Sequence, residues 1–384
     1  MKVLILSCNT GEGHNSCAKA LKVAMQRYGI ECEIQDTLAL VSDTLSQKVS
    51  NAYVFSTRGS LFKIVYRLGA WVSHRISIPS IVYGANRLYA EKLYNYIADY
   101  KFDTVVCVHL FPAEAITALR RNGTLKIPSY FIQTDYTCIP FLKETDLDYY
   151  VIPHRDLIDE FAKKGIKRSK LVPIGIPVDE QKFITRVSKT EAREQIICQC
   201  NADERTNTGG HWFLIMSGSM GFGNLEELLR QLMSEIAPND RVLCVCGRNE
   251  QMRHSLQEEF ALSKQVWIFG FTDQISIFMD ASDVVFTKPG GITSTEVCIK
   301  NIPLIHTSPI PGLENYNANF FHSHSMSYHT CDVAEQVKIA VELCQNNAFR
   351  SSMLAHQRIN TNPNTSNETI KLILQTANKS TTRL

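Results

Sequence analysis

Two places in the chain set a group able to do chemistry directly behind a glycine turn. The first is Cys8-Asn9-Thr10-Gly11-Glu12-Gly13-His14, which follows the apolar run Val3-Leu4-Ile5-Leu6 and precedes an amphipathic stretch from Ser16 to Arg27. Glycines at a strand–helix junction let the backbone approach a ligand, and the start of the helix offers unsatisfied N–H groups. An imidazole placed there, His14, can take or give a proton near neutrality, or it can cap the helix; spacing alone leaves both roles open. The second place is Thr287-Lys288-Pro289-Gly290-Gly291-Ile292-Thr293-Ser294-Thr295-Glu296. A Gly290-Gly291 turn and the helix start behind it can face phosphate oxygens, while the Glu296 carboxylate accepts two hydroxyl protons of a ribose. The plain alternative for Glu296 is a solvated charge near a helix start, where acids are favoured.

Three further segments fit around these. Ser217-Gly218-Ser219-Met220-Gly221-Phe222-Gly223-Asn224 is a small-residue loop between a strand-like run and a helix from Leu225 to Leu232, so backbone donors and the Ser219 hydroxyl can meet a diphosphate, unless it is merely a tight turn. Phe269-Gly270-Phe271-Thr272-Asp273 ends another strand-like run, and Pro309-Ile310-Pro311-Gly312-Leu313-Glu314-Asn315-Tyr316-Asn317 is a proline–glycine loop followed by sugar-compatible donors and acceptors. Neither glycine-rich junction completes the three-glycine dinucleotide fingerprint or the Gly-Lys-Ser/Thr of a P-loop, which argues against NAD and direct ATP hydrolysis.

The elements that must position these groups follow from hydrophobic patterning. Short apolar runs alternate with longer amphipathic stretches, as strands and crossover helices of a parallel sheet do. The strand candidates are Val3–Ser7, Cys32–Asp36, Thr104–His109, Ser129–Gln133 and Tyr149–Ile152, then Trp212–Met216, Arg241–Cys246, Val266–Phe269, Val284–Thr287 and Leu304–His306. Between the two sets, Val172-Pro173-Ile174-Gly175-Ile176-Pro177-Val178 breaks regular structure. The expected organisation is α/β: a doubly wound domain over 1–175, a linker over 176–186, a second doubly wound domain over 187–362 and a C-terminal helix within 363–384 that can pack back on the first domain. The two Rossmann-like domains would face one another across a cleft, with ligands at the carboxyl ends of their strands.

Composition narrows the function. A chain of 384 residues suits two domains, and 44% hydrophobic with 20% charged residues is the balance of a soluble globular protein. Forty Lys plus Arg against 38 Asp plus Glu leave a net +2, too balanced to coat nucleic acid. The 12 cysteines are dispersed, and with no signal-peptide pattern at the start a reducing compartment is expected. Cys198/Cys200 and Cys244/Cys246 lack the spacing of zinc knuckles, so no metal site is expected. No apolar run reaches the roughly 18–20 residues that span a bilayer. From Thr44 to Ala90, however, there is no acid, and Lys48, Arg58, Lys63, Arg67, Arg75 and Arg87 alternate with Tyr53, Phe55, Phe62, Tyr66, Trp71, Tyr83 and Tyr89. Basic residues among aromatics suit the headgroup boundary of an anionic membrane; the alternative is a helical subdomain whose aromatics are core.

Taken in order, Gly13-His14, His109-Leu110-Phe111-Pro112, Thr134-Asp135-Tyr136, Lys288-Pro289-Gly290-Gly291 to Glu296, and Pro311-Gly312 with Glu314 to Asn317 resemble glycosyltransferase family 28, in its branch of diacylglycerol glycosyltransferases. The resemblance spans both halves. It implies a GT-B architecture, with the acceptor and membrane face in the first domain, the UDP-sugar mainly in the second, inversion at the anomeric centre and neither a cofactor nor a catalytic metal. It places Glu296 at the ribose, Phe271 and Thr272 at the uracil, and Ser219, Gly290 and Gly291 at the diphosphate. Gly13 joins that donor set, while Glu314, Asn315 and Asn317 fall at the hexose. His14 takes the position of the general base. His109 and Asp135, with Lys63, Arg67 and Trp71, fall on the acceptor and membrane side. The implied partners are a UDP-sugar, a diacylglycerol-type lipid and an anionic membrane surface, with no nucleic acid; the implied location is the inner face of the cell membrane, as a peripheral cytoplasmic protein. Family relatives often carry histidine and tryptophan where this chain has Ile139 and Leu142, and glutamine where it has Leu313. The sequence leaves glucose and galactose both open as the sugar, and an undecaprenyl-linked N-acetylglucosaminyltransferase or a UDP-sugar 2-epimerase as competing activities.

Overall fold

The computed structural model describes residues 1–8, 12–40, 80–200, 209–218, 225–310 and 312–381. Ser219 and the basic, aromatic stretch with Lys63, Arg67 and Trp71 lie outside the described residues. The chain divides into two units: Met1–Glu180 with Pro311–Tyr316 and Asn364–Leu384, and Gln181–Ile310 with Asn317–Pro363.

The first unit is a six-stranded parallel sheet in the order β2-β1-β3-β4-β5-β6. Its elements are β1 (Lys2–Ser7), α1 (Glu12–Arg27), β2 (Glu31–Asp36), α2 (Ile81–Arg87), α3 (Ala90–Asp99), β3 (Thr104–Cys107), α4 (Leu110–Arg121), β4 (Ser129–Ile132), β5 (Tyr149–Val151), α5 (Ile158–Lys163) and β6 (Leu171–Val172). Strands β3 and β4 are buried at every position and β1 at all but its first, as expected of a sheet covered on both faces. The C-terminal helix, Thr365–Thr381, packs on α1, and Ser366 Oγ donates to the Val178 carbonyl at 2.7 Å. Gly175 lies beneath that helix at φ +114°, and a Cβ there would come within 2.5 Å of Thr365 Cγ2. Both the left-handed backbone and the close approach require glycine.

The proline-rich stretch that breaks regular structure ahead of the expected linker belongs in part to this sheet. Val172 pairs with Val151, and the Gly175 N–H donates to the Ile152 carbonyl at 3.1 Å. β6 is an edge strand, where the N–H missing from Pro173 costs no ladder bond, so the break in the sequence follows the edge instead of leaving it.

The second unit repeats the scheme with the order β12-β11-β10-β7-β8-β9. It comprises α6 (Lys189–Gln199), β7 (Trp212–Met216), α7 (Leu225–Glu235), β8 (Arg241–Val245), α8 (Glu250–Glu259), β9 (Val266–Phe269), α9 (Ile275–Ala281), β10 (Val284–Thr287), α10 (Gly291–Lys300), β11 (Leu304–His306), α11 (Leu313–Ser323) from Asn317 onward, β12 (Tyr328–His329), α12 (Val333–Gln345) and α13 (Asn347–Asn360). Its core joins Phe213, Ile215, Val242 and Phe286 of the sheet to Leu228, Leu229 and Leu232 of α7 and Val337 and Leu343 of α12.

Both sheets reverse direction beside their first strand. The chain runs from β1 to β2, then crosses to the other side of β1 for β3; it runs β7-β8-β9, then crosses to the other side of β7 for β10. These are topological switch points, where successive crossover helices leave for opposite faces and open a crevice beyond the carboxyl ends of the strands.

Candidate active site

In the first unit the switch point is lined by histidines. Helix α1 begins at Glu12, four residues before the start expected from the sequence, so Gly13 and His14 lie in its first turn and Gly13 is exposed. His14 Nδ1 is 2.7 Å from the Val108 carbonyl oxygen at the end of β3 and 3.3 Å from Thr134 Oγ1 beyond β4. A carbonyl can only accept, so Nδ1 carries the hydrogen and Nε2 keeps its lone pair. His109 meets the His14 ring edge-on, with centroids 4.8 Å apart. His109 caps α4: its Nδ1 accepts the Phe111 N–H at 3.2 Å, which puts its own hydrogen on Nε2.

Both rings are held neutral. Burial lowers the pKa of His14 from its ordinary 6.5, against the opposing pull of the Asp135 carboxylate and the bond to Val108. Burial, and then the neighbouring His14, push His109 well below the same value. His14 therefore stands ready to accept a proton at Nε2, and Asp135 stabilises the imidazolium once it forms.

In the second unit the switch point is lined by glycines and a lysine. Gly290 caps α10 at its N-terminus with no side chain of its own, leaving the first N–H groups of that helix to a ligand. Gly218, just after β7, sits at φ +74°, and a Cβ there would lie 2.6 Å from Lys288 Cε. The lysine stem thus lies across the bare Cα of Gly218, and its Nζ is 3.9 Å from where a Cβ of Gly290 would be. Lys288 brings a positive charge to the two turns that the sequence reading offered to a diphosphate; its place beside Pro289-Gly290-Gly291 was the visible signal, but its seat on Gly218 is tertiary.

The start of α10 is braced from below. Ser294 Oγ is 2.8 Å from Nε2 of His306, whose Nδ1 is 3.0 Å from Ser327 Oγ, and burial lowers the His306 pKa to about 3. Glu296 falls in the second turn of α10, half-buried, beyond the first turn where the helix dipole alone would favour an acid. Phe271 is 57% exposed beyond the end of β9, and the Arg248 guanidinium lies 4.9 Å from its ring centre. That leaves an aromatic face available for stacking. Thr272 Oγ1 accepts the Gln274 N–H at 3.1 Å.

The hexose-side residues separate. Glu314 and Asn315 occupy the first turn of α11, in the stretch grouped with the first unit, and Asn315 is exposed. Asn317 is fully buried in the second unit, and its amide donates to the Pro289 carbonyl at 3.0 Å. That bond makes Asn317 a brace of the Pro289-Gly290 turn. Within the first unit the structure thus brings together His14, His109 and Thr134, with Asp135 acting on His14; within the second it brings together Gly218, Lys288, Gly290 and Gly291.

Two doubly wound units, one with a neutral histidine pair and the other with a lysine laid over glycine turns at its switch point, fit the GT-B class of nucleotide-sugar enzymes. The fold is shared with the crystal structure of MurG from Acinetobacter baumannii (TM-score 0.62, 15% identity, 97% of this chain and 99% of that one). It is shared as well with UDP-GlcNAc 2-epimerase from Neisseria meningitidis bound to UDP-GlcNAc (TM-score 0.61, 12% identity, 98% and 100%). The monogalactosyldiacylglycerol (MGDG) synthase model matches residues 14–178, and the glycosyltransferase family 28 C-terminal domain model matches residues 213–366. The processive diacylglycerol beta-glucosyltransferase of Bacillus cytotoxicus is 26% identical over 336 residues, which cover 84% of this chain and 80% of that protein. The chain belongs to glycosyltransferase family 28, in its diacylglycerol glycosyltransferase branch. Among the described residues, no helix is long and apolar enough to cross a membrane.

Proposed function

We propose that this protein transfers a hexose from a UDP-sugar to a diacylglycerol-type lipid with inversion at the anomeric carbon. The observation that carries the reading is the His14 tautomer, fixed by the Val108 carbonyl so that a basic Nε2 stands at the first unit's switch point. The lipid hydroxyl attacks the anomeric carbon and its proton passes to His14 Nε2, while the bond from that carbon to the UDP oxygen breaks. Negative charge developing on the diphosphate is met by the N-terminus of α10, where the Gly291 N–H can donate, and by the Lys288 ammonium, while Gly290, whose own N–H donates to the Lys288 carbonyl at 2.8 Å, leaves room for the approach. Glu296 holds the ribose hydroxyls and Phe271 stacks on the uracil. In this reading no step calls on a metal ion or a cofactor.

The acceptor assignment draws on the match to the MGDG synthase model and on the named activity of the Bacillus relative, which makes UDP-glucose the first donor to test and UDP-galactose the second. The acid-free stretch from Thr44 to Ala90 supports attachment to an anionic membrane surface, on its cytoplasmic side. Incubation with either UDP-sugar and diacylglycerol vesicles, followed by mass analysis of the lipid fraction, should show a monohexosyl lipid. Product on undecaprenyl-linked lipid alone, or release of a 2-epimerised sugar, would replace the reading with one of its competitors.

A further inference from the structure

The loop beyond β4 carries Thr134 and Asp135, the two residues that act on His14 from that side, and it is held from outside by two side chains one helical turn apart. Thr137 Oγ1 donates to Glu160 Oε1 at 2.7 Å, and the Cys138 N–H donates to the same oxygen at 3.0 Å. Lys164 Nζ donates to the Cys138 carbonyl at 2.8 Å and to Glu160 Oε1 at 2.7 Å. Residue Cys138 is therefore gripped at both its N–H and its C=O. Thr137 and Cys138 are themselves buried, at 1% and 3% exposure, so losing those partners would leave polar groups to find new ones inside the fold. The same Lys164 ammonium lies 5.9 Å from the ring centre of Tyr316, in the turn of α11 that carries Glu314 and Asn315.

We propose that Glu160 and Lys164 are a positioning pair for the base: through the Thr137–Cys138 grip they hold Thr134 and Asp135 against His14, and through Tyr316 they tie that loop to the turn expected at the hexose. The inference rests on the reading of His14 as general base. Neither residue touches a reacting atom. Their effect is on alignment, and a displacement of about 1 Å at a reacting group can cost on the order of a hundredfold in rate.

The test uses the full chain, with Glu160→Ala, Glu160→Gln, Lys164→Met and His14→Ala compared for kcat per folded molecule, UDP affinity by calorimetry, and the pH profile of kcat/KM. Glu160→Ala should lose about tenfold or more in kcat with UDP affinity unchanged. Its acid limb should move to lower pH, because the carboxylate of Asp135 raises the His14 pKa, while His109, the other titratable neighbour on that ring, is itself held neutral by burial. Glu160→Gln keeps an acceptor oxygen for Thr137 and Cys138 and should recover most of the rate. Lys164→Met should fall between the two, and it carries the test if Glu160→Ala does not fold. An unmoved acid limb with normal kcat per folded molecule in both Glu160→Ala and Lys164→Met overturns the inference, as does a loss of folded protein alone. If His14→Ala turns over normally, the base reading itself falls; if His14→Ala is inactive while the other variants are normal, only the positioning pair falls.

Discussion

His14→Ala separates chemistry from architecture because the two predict different observables. As general base, His14 should be worth about 10²–10⁴ in kcat, or about 2.7–5.4 kcal/mol at 1.36 per tenfold. As a structural residue it contributes a hydrogen bond to Val108, a longer one with Thr134 and an edge contact with His109, and losing the bond to Val108 should cost about 0.5–1.5 kcal/mol of folding stability and leave turnover alone. The pH profile adds a second constraint. Burial lowers the folded pKa below 6.5, so less than half of the protein carries a protonated His14 at pH 6.5, and the acid limb of kcat/KM must fall below that value. Asp135→Asn removes the carboxylate that raises this pKa, so the limb should move lower still while kcat drops. The assay is hexosyl-lipid formation across pH 4.5–8 at saturating vesicle concentration, normalised to folded protein by its unfolding transition. Near-normal turnover of folded His14→Ala would refute the assignment, and a wild-type acid limb at or above 6.5 would show that burial does not govern this pKa.

Glu296→Ala should cost on the order of 2–4 kcal/mol of UDP affinity through two lost charged hydrogen bonds to ribose, read by calorimetry; unchanged binding by the folded variant removes Glu296 from the donor site. Lys288→Met should weaken UDP by about tenfold or more while leaving uridine binding near wild type, and an unchanged ratio of the two affinities would separate the lysine from the diphosphate. Folding stability should fall as pH drops below 6.5: His306 has a folded pKa of about 3 against 6.5 unfolded, so the unfolded chain takes up the proton first. Its contribution is fully present above 6.5, and about 2 kcal/mol of it is gone at pH 5, at 1.36 per pH unit over 1.5 units. Urea unfolding at pH 7 and 5 should show this drop in the wild type and a smaller one in His306→Asn. Lys63→Glu with Arg67→Glu should weaken co-sedimentation with phosphatidylglycerol vesicles, most at low salt, because each basic residue contributes about 1 kcal/mol at an anionic surface; sedimentation unmoved by the double reversal would leave those side chains on an ordinary solvated face.

Much of the fold was legible because most of its inner strands are buried on both faces and read as apolar runs. Trp212–Met216, Val266–Phe269, Val284–Thr287 and Leu304–His306 match residue for residue, and the others differ by one or two at an end. Leu171–Val172 and Tyr328–His329 were missed because a pair of residues carries no period, and in the first case a proline follows at once. The start of α1 was set too late, since Gly11 and Gly13 read as helix breakers. In the structure the helix takes in Glu12, Gly13 and His14, with the acid in its first turn, where the dipole favours it.

The chemistry was legible as residue types but not as partnerships, and strand order is the reason. His14 and Val108 are 94 residues apart and meet only because β3 returns to the far side of β1. Gly218 and Lys288 meet only because β10 returns to the far side of β7. A local pattern can name a glycine turn or a histidine at a helix start, but it does not contain the crossing that sets two such turns side by side. In each unit that crossing sends the flanking helices to opposite faces, and the backbone beyond the two strands is left without a covering helix. That leaves carbonyls, N–H groups and bare Cα atoms to fix a tautomer or seat a lysine stem. The His14 tautomer and the Lys288 seat thus share one cause, the reversal of winding beside the first strand of each sheet. It follows that a substitution filling the bare Cα, Gly218→Ala for one, disturbs Lys288 without touching any residue that a sequence motif would name.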